Sequence, residues 1–175
     1  MSQPLPRDPI LDAQLNWERR GWGDVAEPMA AITALMRTQQ IILQRAEAVL
    51  KPFGLTFARY ELLALLSFAR DGSLAMSKAS ALLQVHATSV TNAVDRLESA
   101  GLVARTKHPT DKRTTLIALS SKGRELAAAA TEELNGRVFA DSGFSDRDIG
   151  TLIRIFAKFR RDAGDFGQPG ETAGA

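Results

Sequence analysis

The chain has 175 residues, no cysteine and two histidines, and 22 Lys and Arg against 20 Asp and Glu leave a net charge of +2. Lacking cysteine, it has no disulfide, no thiolate metal site, no thiol nucleophile and no oxidation sensor. With only His86 and His108, a histidine-built zinc site is not expected, and neither a metal nor a cofactor is predicted.

The chain opens with no basic stretch followed by an apolar one, and no apolar run approaches the ~18 residues of a membrane span. A cytoplasmic protein without membrane contact is therefore expected. Residues 1–27 read as an N-terminal extension. Three prolines fall within residues 1–10, and a short helix over 11–23 carries Leu11, Leu15, Trp17 and Trp22. A long helix is predicted over 28–51. Pro28 sits in its first turn, Met29, Ile32, Met36, Leu43 and Leu50 lie on its apolar face, and Lys51-Pro52 ends it. That face is too wide for one small domain to cover.

Thr56 is placed to cap a helix over 57–70, and Asp71-Gly72-Ser73 reads as a turn. A short helix over 77–83 follows, with Ser77 as its cap. In the next helix, over 87–99, Val90, Ala93, Val94 and Leu97 form an inward stripe. Thr88, Thr91, Asn92, Asp95, Arg96 and Ser99 then point elsewhere, and Gly101 suits a left-handed end. The period changes to that of strands over 102–107 and 114–119, separated by a charged tip that contains Pro109. Ser120 caps a helix over 121–139. Ser145 and Asp148 form a capping box for a last helix reaching residue 163. Its apolar face carries Ile149, Leu152, Ile153, Phe156 and Phe159, and residues 164–175 read as a flexible tail.

The pI near 9.2 is weak evidence for a nucleic-acid partner, because few groups here titrate just above neutrality. Location says more. Between residues 102 and 124, Arg105, Lys107, Lys112, Arg113, Lys122 and Arg124 face one acid, Asp111, so the stretch carries +5 and the rest −3. A charged hairpin tip also serves simply to discourage edge pairing. The element order, however, is that of a winged helix-turn-helix, whose second helix enters the major groove beside a basic wing.

The series Asp95-Arg96-Leu97-Glu98, Gly101-Leu102-Val103, Arg105, Pro109, Asp111, Arg113, Leu119 and Lys122-Gly123 resembles, in this order and spacing, the MarR family of transcriptional regulators. The likeness runs over about residues 28–159. It implies a mainly α fold, an α+β winged helix-turn-helix. The DNA-binding lobe would span about residues 55–120 of a domain at 28–163, with dimerisation helices at about 28–51 and 121–163. It also implies a homodimeric repressor, bound to a pseudo-palindromic duplex and released by a small aromatic or anionic effector. The residues matching DNA-contacting positions are Ser77, Lys78, Thr88, Ser89, Thr91, Asn92, Arg96, Lys107, Asp111, Lys112 and Arg113.

By this likeness Arg113 enters the minor groove, Asp111 orients its guanidinium, and Lys112 meets phosphate. For Arg96 an ion pair with a nearby carboxylate is an equal expectation. The family often has Asp where His108 stands, so a looser tip is expected. His86 is expected to cap or pack at the start of the helix over 87–99. Arg37, Arg59, Tyr60 and Trp22 lie near the effector crevice the likeness implies, but no ligand residue is assigned. A winged-helix protein-interaction module is the alternative reading. An enzyme is not expected, since no phosphate loop, nucleophile elbow or HExxH helix is present.

Overall fold

The computed structural model describes residues 4–111 and 113–167. The chain divides into two compact units, one up to Val138 and one from Phe139.

The first unit begins with α1 (Pro9–Arg19), earlier than the spacing of apolar residues predicts. Its start is written in Asp8-Pro9. The Asp8 carboxylate accepts the Ile10 N–H at 2.9 Å, and Pro9 occupies the first turn, where no N–H is needed. Helix α2 (Gly23–Leu50) starts five residues before the expected boundary, so Pro28 lies inside it as the sixth residue rather than in its first turn. The lost backbone bond is offset by packing. Ala26 and Ala30 are buried where α1 lies on α2, and Trp17 meets Trp22 edge-on at 5.4 Å.

A 3-10 turn at Lys51–Phe53 and left-handed Gly54 (φ 67°) lead to α3 (Phe57–Phe68). As expected, the Thr56 hydroxyl caps α3 by accepting the Arg59 N–H. Beyond the turn at Gly72 comes an element the sequence does not announce, β1 (Ser73–Ala75). Three residues are too few to show alternation. Because β1 runs straight into α4 (Met76–Leu83), Ala75 takes the cap position and Ser77 lies within the first turn, which corrects the expected Ser77 cap. Helix α5 (Ala87–Ser99) follows, then β2 (Val103–Lys107) and β3 (Thr115–Leu119). The sheet is antiparallel in the order β1-β3-β2. Its register pairs Ser73 with Ala118 and Val103 with Leu119.

Apart from α1, which buries none of its own residues, these elements join α6 (Ser121–Leu134) in one core cluster. Leu50, Leu62, Leu63, Leu66, Leu97, Ile117 and Leu134 are fully enclosed. Val90, Val94 and Leu97 seat α5 in it, at about 1.5–3 kcal/mol for each large side chain buried. This fixes the rotation of α5 and hence its outward face.

Gly123 allows the close approach of α6. A Cβ there would lie 2.0 Å from the Leu102 carbonyl oxygen. The helix predicted over 121–139 ends at Leu134 and gives way to a π turn at Asn135–Phe139. In the second unit α7 (Asp146–Asp162) has the expected capping box. The Ser145 hydroxyl accepts the Asp148 N–H, and the Asp148 carboxylate accepts the Ser145 N–H. No helix of the described residues is long and apolar enough to cross a membrane.

Candidate nucleic-acid interface

The inward stripe of α5 leaves Thr88, Ser89, Thr91, Asn92 and Arg96 exposed on its other side, and Ser77 and Lys78 are exposed on α4. The N-terminus of α5 is held by His86, whose Nδ1 accepts the Thr88 N–H at 3.3 Å and lies 3.1 Å from the Thr88 hydroxyl. This is the capping role expected of it. The Thr91 hydroxyl donates to the Ala87 carbonyl, so it faces outward mainly as an acceptor. Among the described residues Arg96 makes no ion pair, which leaves it available to an external anion.

The wing is tied to α5 by Arg105. Its guanidinium bonds Asp95 at 2.5 Å and also Glu98, while its backbone N–H donates to Glu98 at 2.8 Å. Those bonds, the backbone one first, hold the Glu98 carboxyl below its usual range. At the wing's exit, Lys122 donates to the Ala100 carbonyl at 2.9 Å, and the Ser120 hydroxyl donates to Gly101 and Leu102 carbonyls while capping α6. The +5 segment is therefore not one free patch. Arg105 and Lys122 are structural, and among the described residues the exposed cations of the hairpin are Lys107 and Arg113. Lys112 lies outside the described residues.

At the tip, two expectations are corrected. Asp111 does not orient the Arg113 guanidinium. Its carboxylate accepts the Arg113 backbone N–H at 3.0 Å and the Thr114 hydroxyl at 2.6 Å. These two bonds, the hydroxyl's first, hold its carboxyl below the usual range. The tip is also not loosened by His108. Its Nδ1 accepts the N–H groups of Thr110 and Asp111 at 3.3 and 3.2 Å, as a short acidic side chain would. The turn is thus fixed through backbone contacts, and the Arg113 side chain is exposed.

Of the side chains near the implied effector crevice, Tyr60 belongs to the core, with its hydroxyl 3.1 Å from that of Thr131. Arg59 instead lines a surface crevice with α5. Among the described residues no group of three or more His, Asp or Glu side chains is placed to hold a metal ion.

Residues 53–114 match the MarR family model. A MarR family transcriptional regulator from Streptomyces coelicolor, known from a near-atomic-resolution crystal structure, is 46% identical. The match covers 81% of this chain and 99% of that one, with a TM-score of 0.73. The chain belongs to the MarR family. MarR membership agrees with the winged-helix order of α3, β1, α4, α5, β2 and β3, and places the chain among transcriptional regulators rather than enzymes. The HTH-type transcriptional regulator YdgJ of Bacillus subtilis (strain 168) is 30% identical over 112 residues, 62% of this chain and 66% of that protein. The chain thus spans just under two thirds of that curated relative. CouR from Rhodococcus jostii RHA1, in a structure bound to p-coumaroyl-CoA, is 25% identical. That match covers 72% of this chain and 88% of CouR, with a TM-score of 0.63.

Two residues named in the sequence take a different place in the structure from the one expected of them. Arg105 was legible only as a motif letter, although its distance from Asp95 and Glu98 across one turn is what a helix-to-strand clamp requires. Arg59 carries no local signal, since only the packing of α3 on α5 brings it there.

Proposed function

We propose that the chain is the protomer of a homodimeric, sequence-specific DNA-binding repressor that grips a pseudo-palindromic operator in the cytoplasm and is released by a small-molecule effector. The observation that carries the DNA reading is the outward face of α5. Thr88, Ser89 and Asn92 offer small donors and acceptors suited to base edges, on a helix held rigid by its core stripe and by Arg105. Lys78, Arg96 and Lys107 supply phosphate contacts, Arg113 reaches the minor groove, and Ser77 and Thr91 border the groove-facing surface. Lys112 joins the phosphate contacts at the tip.

The dimer reading is supported by apolar side chains without cover. On α2, Val25, Ile32, Leu35 and Met36 are exposed; on α7, Ile153, Ile155 and Phe159 are exposed. Apolar exposure on this scale marks an association surface. The effector reading is supported by a crevice of about 440 Å³ between α3 and α6, bordered by Ser67, Phe68, Arg124, Ala127 and Thr131. Its volume is in the range that takes small molecules. Phe68, Ala127 and Ala128 give it an apolar wall that suits an aromatic compound, with Arg124 and Glu132 as its charged groups, and CouR is a relative seen with p-coumaroyl-CoA.

Selection from genomic fragments should enrich an inverted repeat whose half-sites are about one helical turn apart. A library returning no enriched repeat, with the protein folded, would contradict the repressor reading and favour a protein-interaction module.

A further inference from the structure

Beside the groove-facing surface of α5 lies an open crevice of about 580 Å³. It is lined by Thr56 and Arg59 from the start of α3 and by Asn92, Asp95, Arg96 and Ser99 from α5. We propose that this crevice seats a backbone phosphate of the DNA duplex, held between the guanidinium groups of Arg59 and Arg96, so that α3 is a third DNA-contacting element. The inference rests on the DNA-binding reading above.

Four observations carry it. Two arginines from different helices line one crevice, and neither makes an ion pair among the described residues. The carboxylate in the wall, Asp95, is bonded to Arg105 at 2.5 Å and to neither Arg59 nor Arg96; Arg105 is shared with Glu98, so this group keeps one net negative charge against the two positive charges of Arg59 and Arg96. The Arg59 side chain is already held in place, its Nε donating to the Thr56 hydroxyl at 3.2 Å and a terminal nitrogen to the Gly54 carbonyl at 3.3 Å. Both partners are neutral, which leaves the full positive charge and the remaining donors for an anion, at little further cost in side-chain freedom. Finally, Asn92 belongs both to the crevice and to the exposed face of α5. A helix inserted in the major groove brings the strand along the groove's edge over its flank, and on this flank that strand meets Arg59 and Arg96.

The test is the salt dependence of duplex binding by the full chain, followed by fluorescence anisotropy on the selected operator and on a scrambled duplex. Each phosphate contact contributes about 0.9 to the slope of log K against log salt. Arg59→Ala and Arg96→Ala should each flatten the slope by about that amount and weaken both duplexes alike. Arg59→Lys should recover most of the slope, since it keeps the charge. Arg59→Ala also loses its bonds to Thr56 and Gly54, so circular dichroism must show it folded. Arg96 makes no ion pair to lose, and its variant tests the seat independently. Unchanged slopes in both folded variants, with the wild type binding normally, overturn the seat and leave the DNA reading intact. A wild type that binds neither duplex overturns the DNA reading itself. If inorganic phosphate raises the melting temperature of the wild type but not of Arg59→Ala, and the slopes do not move, the crevice belongs to a free anion and the DNA seat is overturned.

Discussion

His108 and Asp111 divide the work of shaping the wing tip, and neither touches the Arg113 guanidinium. One imidazole nitrogen takes two backbone N–H groups; the carboxylate takes a third and a hydroxyl. His108→Asp should therefore preserve the tip and operator affinity, whereas His108→Ala should loosen it, read as faster amide exchange over residues 110–114. Arg113→Ala should weaken operator binding by about 1–3 kcal/mol in a gel shift if the side chain reads the groove. Asp111 and Glu98 are both held below the ordinary carboxylate range. The stability they add is complete once the unfolded chain's carboxyls have ionised, and is lost as the pH falls through their lowered values. An Asp111→Asn chain should accordingly lose less melting temperature than the wild type on acidification. Equal losses would show that the tip bonds add nothing to folding. These side-chain roles were only half legible in the sequence. The spacing of Asp111 and Arg113 marks a turn, but the same two letters fit a guanidinium bond and a backbone bond equally well, and only the loop geometry chooses.

At the scale of elements, the joints between helix and wing depend on two residues with different physics. Arg105 bridges β2 to two carboxylates of α5. Arg105→Ala should lower the melting temperature and reduce operator affinity, although the residue itself is not assigned to DNA. Full affinity in a folded variant would remove it as a positioning residue. Gly123 acts by having no side chain. With a Cβ 2.0 Å from the Leu102 carbonyl oxygen, Gly123→Ala must push α6 from the sheet, at a cost of about 1–3 kcal/mol or more by chemical denaturation. The helices with clear periodicity and caps, α3, α5 and α7, lie close to where the sequence puts them, because a cap and a buried stripe fix the ends and the face together. The misplaced boundaries have specific causes. Strand β1 is defined by pairing with β3, forty residues away in sequence, and α2 extends past Pro28 because α1 packs on its early turns.

For the whole molecule, the uncovered apolar side chains of α2 and α7 set the main expectation. Size-exclusion with light scattering should give a dimer, and Ile32→Asp combined with Met36→Asp should yield a monomer or an insoluble chain. A wild-type monomer would contradict the association. The net charge of +2 understates the proposed interface. Part of the basic segment's charge is bound internally, at Arg105 on β2 and Lys122 on α6, while the proposed phosphate seat brings in Arg59 from outside that segment. The membership in the MarR family was readable from one run of motif letters, because those letters are the caps, clamps and close contacts that build the winged helix. The most direct test of the central claim is binding of the purified chain to its genomically selected duplex over a range of salt. Two protomers should bind one inverted repeat, with affinity falling steeply as salt rises and the scrambled duplex bound far more weakly. Equal, weak binding to both duplexes at every salt concentration would contradict it.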